Sequence, residues 1–427
     1  MKLNENMKIK DNELLINDVE VKNIKKKYDT PTLIIDADNF KKKIDVFKNN
    51  FRSDDLDLRV IYASKALNIK RLLEIVSDKD IYLDVVSLGE MYTAKKAKFD
   101  FSKIYFHGNN KLIEELEYAL DNNIGTIVID NETEYELLKD LVKNRKQKVL
   151  LRVNPGIDAH THEYIKTSKN DSKFGLSIFD DSTMDLIKRI NENENFEFRG
   201  FHAHIGSQIF EKNSFFDELD EMLKFIKKVE EQSVKIIELN LGGGFGVYYT
   251  KEDHPFELDV FLKEFKDKIE KRIVDEKLNI NTIAIEPGRS LINDSGYMLY
   301  TIGAVKSTYS GKKYIFIDGG MSDNIRPSLY DAKYEMAIAN KMNDSFDQEY
   351  DVAGKLCESG DKIGKNIKLP KAKRGDLLIV NNAGAYTYSM ANNYNKMRKP
   401  AVVFIEDKKD KIAVKRQSLE NLTECEI

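Results

Sequence analysis

Between residues 31 and 289, short β-branched apolar runs alternate with longer stretches of helical period, which confines the chain to a parallel α/β architecture. The runs fall at 32–35, 60–63, 83–86, 104–106, 126–129, 149–153, 200–203, 236–239 and 283–285. That is one more than an eight-stranded barrel requires. Between them, stretches such as 113–120 and 216–229 space their apolar residues three and four apart, as helices packed on a barrel wall would. After Arg289 the texture changes: apolar runs are separated by Gly, Asp, Asn and Lys turns, and long helical patterns become scarce. The expected fold is a (β/α)8 TIM barrel followed by a mostly antiparallel β-domain, a β-sandwich or Greek-key-like barrel. The surplus strand near Thr32 is expected to pair with that β-domain. The expected boundaries are 38–288 for the barrel, with 1–37 and 289–427 forming the second domain.

Charge and cysteine usage narrow the function. A net charge of −4 gives no general attraction for nucleic acid or acidic lipid, so small-molecule chemistry is favoured. The cysteines, Cys357 and Cys425, are too few for a disulfide framework, no apolar stretch is long enough to span a bilayer, and the N-terminal residues lack a secretory signal. A cytoplasmic location is the expectation.

The polar residues that end these strands carry the chemistry. Lys65, in Tyr62-Ala63-Ser64-Lys65-Ala66, projects from the C-terminal end of a strand, the face where barrels keep their sites. Its amine, once desolvated, can condense with an aldehyde, although a lysine at such a position is usually a plain loop residue. His202 and His204 share one strand face. A core pair, metal ligands together with His160 and His162, and an imidazole stacked on a planar cofactor all remain open for them. Ser207 offers a hydroxyl to a phosphate. The run 242–246, Gly-Gly-Gly-Phe-Gly, follows a strand and presents bare N–H groups, as an anion cradle or as a simple tight turn. Glu286 ends an apolar strand, where a carboxylate needs a cation or a donor, and a protonated ring nitrogen would serve. Arg289, three residues on, suits a phosphate or carboxylate, and an internal pair with Glu286 explains both residues equally well. Cys357 and Glu358 lie in a polar turn outside the barrel.

Taken in order, these motifs resemble the diaminopimelate decarboxylases, pyridoxal-phosphate enzymes of the fold type III, alanine-racemase-like class. The resemblance extends to Asp84-Val85-Val86-Ser87, Phe106-His107-Gly108-Asn109-Asn110-Lys111, Arg152-Val153-Asn154-Pro155-Gly156, Asp171-Ser172-Lys173-Phe174-Gly175 and Asn381-Asn382-Ala383-Gly384-Ala385-Tyr386. It implies that Lys65 holds pyridoxal 5'-phosphate covalently and that His204 stacks on its ring. It implies further that Ser207, Gly243, Gly244, Gly288, Arg289 and Tyr386 surround the phosphate, and that Glu286 keeps the pyridine nitrogen protonated. Arg289, Arg326, Tyr330, Glu358 and Tyr386 match positions that bind the amino-acid substrate. Cys357 matches the residue that protonates the α-carbon, reaching across from a partner subunit, so a homodimer with shared sites is implied. A substrate with a second zwitterionic end needs a cation for its carboxylate and an acid for its ammonium, and Arg326 and Glu358 supply that pairing. Departures from the family pattern are Leu88 and Ser168, where glycine is common.

The expectation is decarboxylation of meso-diaminopimelate to L-lysine, without a metal. Alternatives are the same chemistry on D-ornithine, D-lysine or carboxynorspermidine, a metal-dependent barrel hydrolase built on the paired histidines, and a non-catalytic carrier of the cofactor.

Overall fold

The computed structural model describes residues 1–143, 145–157 and 172–427. His160, His162 and Ser168 lie outside the described residues. The chain divides into two compact units: residues 44–247 with 254–290, and residues 1–43 with 248–253 and 291–427.

The N-terminal segment opens with three short strands, β1 (Met7–Lys10), β2 (Glu13–Ile16) and β3 (Val19–Glu20), paired antiparallel in that order. Their tight reversals place Asp11, Asn12, Asn17 and Asp18 at positive φ, a conformation that Asn and Asp tolerate. A fourth strand, β4 (Thr32–Asp36), is fully buried.

The first unit is the barrel. Its strands are β5 (Asp57–Ala63), β6 (Tyr82–Val85), β7 (Ile104–Phe106), β8 (Thr126–Ile129), β9 (Gln147–Asn154), the two-residue extension β10 (Leu176–Ser177), β11 (Phe196–His202), β12 (Glu238–Asn240) and β13 (Thr282–Ile285). Leaving aside β10, which pairs in parallel beside the last two residues of β9, each of the eight pairs in parallel with its neighbours, and β13 closes the ring on β5. Burial on both faces explains why the sequence shows continuous apolar runs rather than alternation. The interior is filled by Ile61, Tyr105, Val128, Leu150 and Ala284. The helix Lys212–Glu230 buries Phe215, Leu219, Met222, Leu223, Ile226 and Val229, the stripe expected from its spacing. Phe215 stacks on Phe245 at 5.1 Å between centroids, and Phe261 stacks on Phe265 at 5.3 Å.

At the N-terminal end of the strands an ionic cluster plugs the barrel. Glu238, fully buried, accepts from Tyr105 Oη (2.6 Å) and Arg199 Nε (2.5 Å), while Arg59 donates to the same tyrosine oxygen (2.6 Å). The carboxylate is thus matched by two guanidinium groups, the condition under which a buried charge is tolerated.

The second unit is a mixed sheet. It adds β14 (Gly296–Ser307), β15 (Lys313–Ile317), β16 (Met336–Ile338), β17 (Gln348–Ala353), β18 (Lys362–Leu369), β19 (Leu377–Val380), β20 (Ala401–Glu406) and β21 (Lys409–Val414), in the order β18-β17-β15-β14-β4-β20-β21. Most pairs are antiparallel, and β4–β20 and β15–β17 are parallel. Strand β4 sits in the middle of this sheet, as expected of the surplus strand, with Ile34 facing Tyr297 and Val403. The core here gathers Leu14, Ile16, Ile34, Leu299, Ile379 and Val403. Among the described residues no helix is long and apolar enough to cross a membrane.

Candidate active site

The barrel unit contains Lys65, His204, Ser207, Gly243, Gly244, Glu286, Gly288 and Arg289, while Arg326, Tyr330, Cys357, Glu358 and Tyr386 belong to the second unit. In the barrel unit every one of these residues follows or ends a strand at its C-terminal side, as the fold requires of a site.

Lys65 occupies the one-turn 3₁₀ helix Ser64–Ala66 immediately after β5. Its ammonium lies 3.4 Å from Oδ2 of Asp84, which is buried on the neighbouring strand β6 opposite Ala63. Ser87 caps the next helix by accepting from the Glu90 N–H at 3.3 Å, and the Leu88 N–H donates to Glu115 at 2.9 Å. A helix start at Ser87 therefore accommodates the leucine that departs from the family pattern.

Glu286 is the electrostatic centre. Its Oε1 accepts from Asn240 Nδ2 at 2.7 Å and lies 2.9 Å from His107 Nε2, while Oε2 lies 3.2 Å from His202 Nε2. Burial alone would push the carboxyl up, but the two imidazoles outweigh it and hold Glu286 well below the usual carboxylate range. Burial holds His202 down to about 3, so its ring is neutral at physiological pH. Neutral imidazole with Nε2 toward Glu286 leaves Nδ1 as an unprotonated nitrogen, which has no hydrogen-bond partner among the described residues. The result is an ionised carboxylate fixed in a water-poor pocket.

His204 has a different role. Its Nδ1 accepts from the Gly243 N–H at 3.2 Å, and burial, followed by the nearby charges of Lys65 and Arg152, keeps it well below the ordinary histidine value. It is a neutral, orientationally locked ring. Of the paired histidines, His202 turns to Glu286 and His204 to a backbone amide, while His160 and His162 lie outside the described residues. The metal-capable grouping among the described residues is instead His107, His202 and Glu286. Its members already meet at hydrogen-bond distances.

The glycine run is required by backbone crossing. A Cβ on Gly243 would lie 2.1 Å from the Glu286 carbonyl oxygen, and one on Gly244, at φ 111°, would lie 2.4 Å from that of Gly206. Close approach of the loops after β11, β12 and β13 thus demands glycine here. On those loops, Arg289 Nη2 donates to Ser207 Oγ at 3.0 Å. Arg289 therefore bonds Ser207 while Glu286 takes its partners from His107, His202 and Asn240.

In the second unit, Arg326 and Tyr330 lie on the short helix Arg326–Tyr330. Ser328 Oγ donates to the Gly360 carbonyl at 2.8 Å, tying this helix to the turn of Cys357 and Glu358. That turn is shaped by buried Asp361, which accepts from the N–H groups of Met321 (2.7 Å) and Leu356 (2.9 Å). Both Cys357 and Glu358 are exposed. Tyr386 is held at φ 59°, a left-handed conformation unusual for a tyrosine and of the kind stored at functional sites.

The sequence reading missed His107 and Asn240 as partners of Glu286, and Tyr249 and Tyr334, whose hydroxyls both accept from Arg326. Only a carboxylate ending an apolar strand signalled that such partners must exist.

Residues 37–293 match the family model of the pyridoxal-dependent decarboxylase, pyridoxal binding domain, which makes the barrel the cofactor-binding domain of a pyridoxal-dependent decarboxylase. The chain is 43% identical over 411 residues to the diaminopimelate decarboxylase of Staphylococcus aureus, covering 96% of each chain, and 42% identical to that of Bacillus subtilis, covering 97% and 95%. A diaminopimelate decarboxylase from M. jannaschii, solved with L-lysine, superposes with a TM-score of 0.91 at 30% identity, covering 99% of this chain and 98% of that one. The chain belongs to the diaminopimelate decarboxylase family. Its cofactor is pyridoxal 5'-phosphate.

The residues present fit that cofactor. An ionised, buried Glu286 suits a protonated pyridine nitrogen, a locked neutral His204 suits a ring face, and the Ser207–Arg289 pair on glycine-bounded loops suits a phosphate. When bound, the group supplies an electron-poor ring that takes up the electron pair left as CO₂ departs. Lys65 would provide the amine, and Asp84 lies 3.4 Å from it.

Proposed function

We propose that the chain decarboxylates meso-2,6-diaminopimelate to L-lysine and CO₂, the last step of lysine biosynthesis. The observation that carries this reading is Glu286, a buried carboxylate kept ionised at the strand ends of a barrel that also presents Lys65, Ser207 and Arg289. Near full-length similarity to chains named diaminopimelate decarboxylase supports the substrate, as does a related structure that holds L-lysine.

In this reading Lys65 carries the cofactor, His204 covers its ring, and Ser207, Gly243, Gly244, Gly288, Arg289 and Tyr386 receive its phosphate. Glu286 retains a proton on the ring nitrogen. Arg289, Arg326, Tyr330, Glu358 and Tyr386 receive the substrate, the carboxylate falling to arginine and the ammonium to Glu358. Cys357 delivers a proton to the carbon that has lost CO₂. The exposure of Cys357 and Glu358 agrees with their serving a second copy of the chain, so the working unit is a homodimer. The proposed location is the cytoplasm.

The test is incubation with meso-diaminopimelate, with and without added pyridoxal phosphate, while assaying CO₂ and L-lysine. Equal amounts of both, dependent on the cofactor, are expected. Turnover of D-ornithine, D-lysine or carboxynorspermidine, with none of meso-diaminopimelate, would reassign the substrate.

A further inference from the structure

Arg326 is a buried cation whose four side-chain torsions would leave its guanidinium free to wander. Two phenols stop it: Nη1 donates to Tyr249 Oη at 2.8 Å and to Tyr334 Oη at 2.7 Å. The two rings, both buried, meet edge to face at 5.3 Å and 89°, and the guanidinium carbon lies 5.1 Å from one centroid and 5.8 Å from the other. The segments that carry the tyrosines are themselves fastened together. Tyr248 Oη donates to Glu335 at 2.9 Å, Lys333 pairs with Glu252 at 2.7 Å, and the Tyr249 and Thr250 N–H groups both donate to Asp253.

The consequence lies in which hydrogens remain. Both Nη1 hydrogens are spent on the phenols, and among the described residues no hydrogen bond uses Nε or Nη2. Those two groups form the edge that binds a carboxylate through two parallel bonds. Both partners are phenol hydroxyls and, among the described residues, no carboxylate pairs with Arg326, so the guanidinium is oriented without a counter-ion.

We propose that Tyr249 and Tyr334 are specificity-determining positioning residues that pre-set Arg326 to accept the carboxylate at the unreacted end of the substrate. The inference rests on the substrate reading above and deepens it. A guanidinium locked before the ligand arrives spares the binding step the cost of ordering it, so the benefit goes to ligands that carry the carboxylate. Ligands with only a distal amine gain nothing from the clamp.

The test uses the holoenzyme and direct titration, followed by the cofactor's visible absorption, with L-lysine and with 1,5-diaminopentane, which is L-lysine without its carboxylate. The wild type is expected to prefer L-lysine. Tyr249→Phe and Tyr334→Phe should each weaken L-lysine by about tenfold and leave 1,5-diaminopentane unchanged, the double variant falling short of the product of the two because both phenols hold one guanidinium. The KM for meso-diaminopimelate should rise in parallel, with kcat falling by no more than a few-fold. Arg326→Lys, which keeps the charge but not the fork, should lose the same preference. An unchanged preference in the double variant, equal weakening of both ligands, or a wild type without preference would each overturn the clamp. Preference for L-lysine without CO₂ release from meso-diaminopimelate would instead sink the functional reading and leave the clamp standing.

Discussion

Lys65, in the turn after β5, and Asp84, on the adjacent strand β6, form an ion pair, with the ammonium 3.4 Å from a carboxylate oxygen that solvent barely reaches. This fixes the amine at the C-terminal rim of the barrel. Lys65→Ala should therefore remove both the visible absorption of bound cofactor and nearly all turnover. Borohydride reduction of the wild-type holoenzyme, followed by peptide mass mapping, should find a pyridoxyl group on the peptide that contains Lys65 and on no other.

Glu286 tests a different part of the site. Glu286→Gln keeps the size of the side chain and removes its charge, so the cofactor should still bind while kcat falls by roughly two orders of magnitude or more. Steady-state kinetics on variant protein shown by absorption to be fully loaded would check this. An unchanged kcat would remove the carboxylate from the mechanism.

Cys357→Ala should retain the cofactor's absorption and lose rate. Mixed with Lys65→Ala and allowed to exchange subunits, it should regain activity, because under the proposed sharing of sites between two copies one site of a mixed pair would have both residues intact. Activity assayed after native mass spectrometry has confirmed the mixed species would decide it.

Stability should respond to pH through Glu218. This residue is fully buried on the helix Lys212–Glu230, and neither carboxyl oxygen has a hydrogen-bond partner among the described residues. Burial, reinforced by the charge of Glu286, pushes its carboxyl well above the ordinary value of 4.5. The folded state then retains a proton that the unfolded chain releases above about 4.5, so stability falls as pH rises from there toward the folded value. Glu218→Met should raise the melting temperature more at pH 8 than at pH 5. An equal change at both would contradict the assignment.

At the opposite end of the barrel, Glu238→Leu would take from Arg59 and Arg199 the one fully buried carboxylate they share and leave them only the more exposed Asp57 and Glu197. The expected cost is about 1–3 kcal/mol, read by denaturant unfolding, and absorption of the bound cofactor in the folded fraction should persist.

The parts that could be read from sequence were those with local signatures. Strands such as Thr126–Ile129 and Thr282–Ile285 carried an apolar run because both of their faces are buried, and Lys65, Ser207 and Glu286 stood out as polar residues after apolar runs. The N-terminal hairpins could not be read this way, since Met7–Lys10 places only Met7 in the core and so lacks a pattern. Nor could the Arg326 clamp, whose partner Tyr249 is 77 residues away in sequence. Glu218 was hidden for the opposite reason: an acidic residue in an amphipathic helix reads as solvent-facing unless the packing is known. His202 and His204, similar in sequence, acquire separate roles only from what faces them.

The placement of β4 has a further consequence for biosynthesis. Its parallel neighbour β20 is paired at a chain separation of about 370 residues, so at ribosomal speeds of roughly 5–20 residues per second the greasy Leu33-Ile34-Ile35 stretch waits on the order of half a minute for its mate. The barrel can close and β14 can pair with one edge of β4 during that interval, while the other edge of β4 stays open until translation is nearly finished. Premature termination shortly before residue 401 would accordingly release a chain with a finished barrel and a sticky, half-built neighbour, a product destined for chaperones or aggregates.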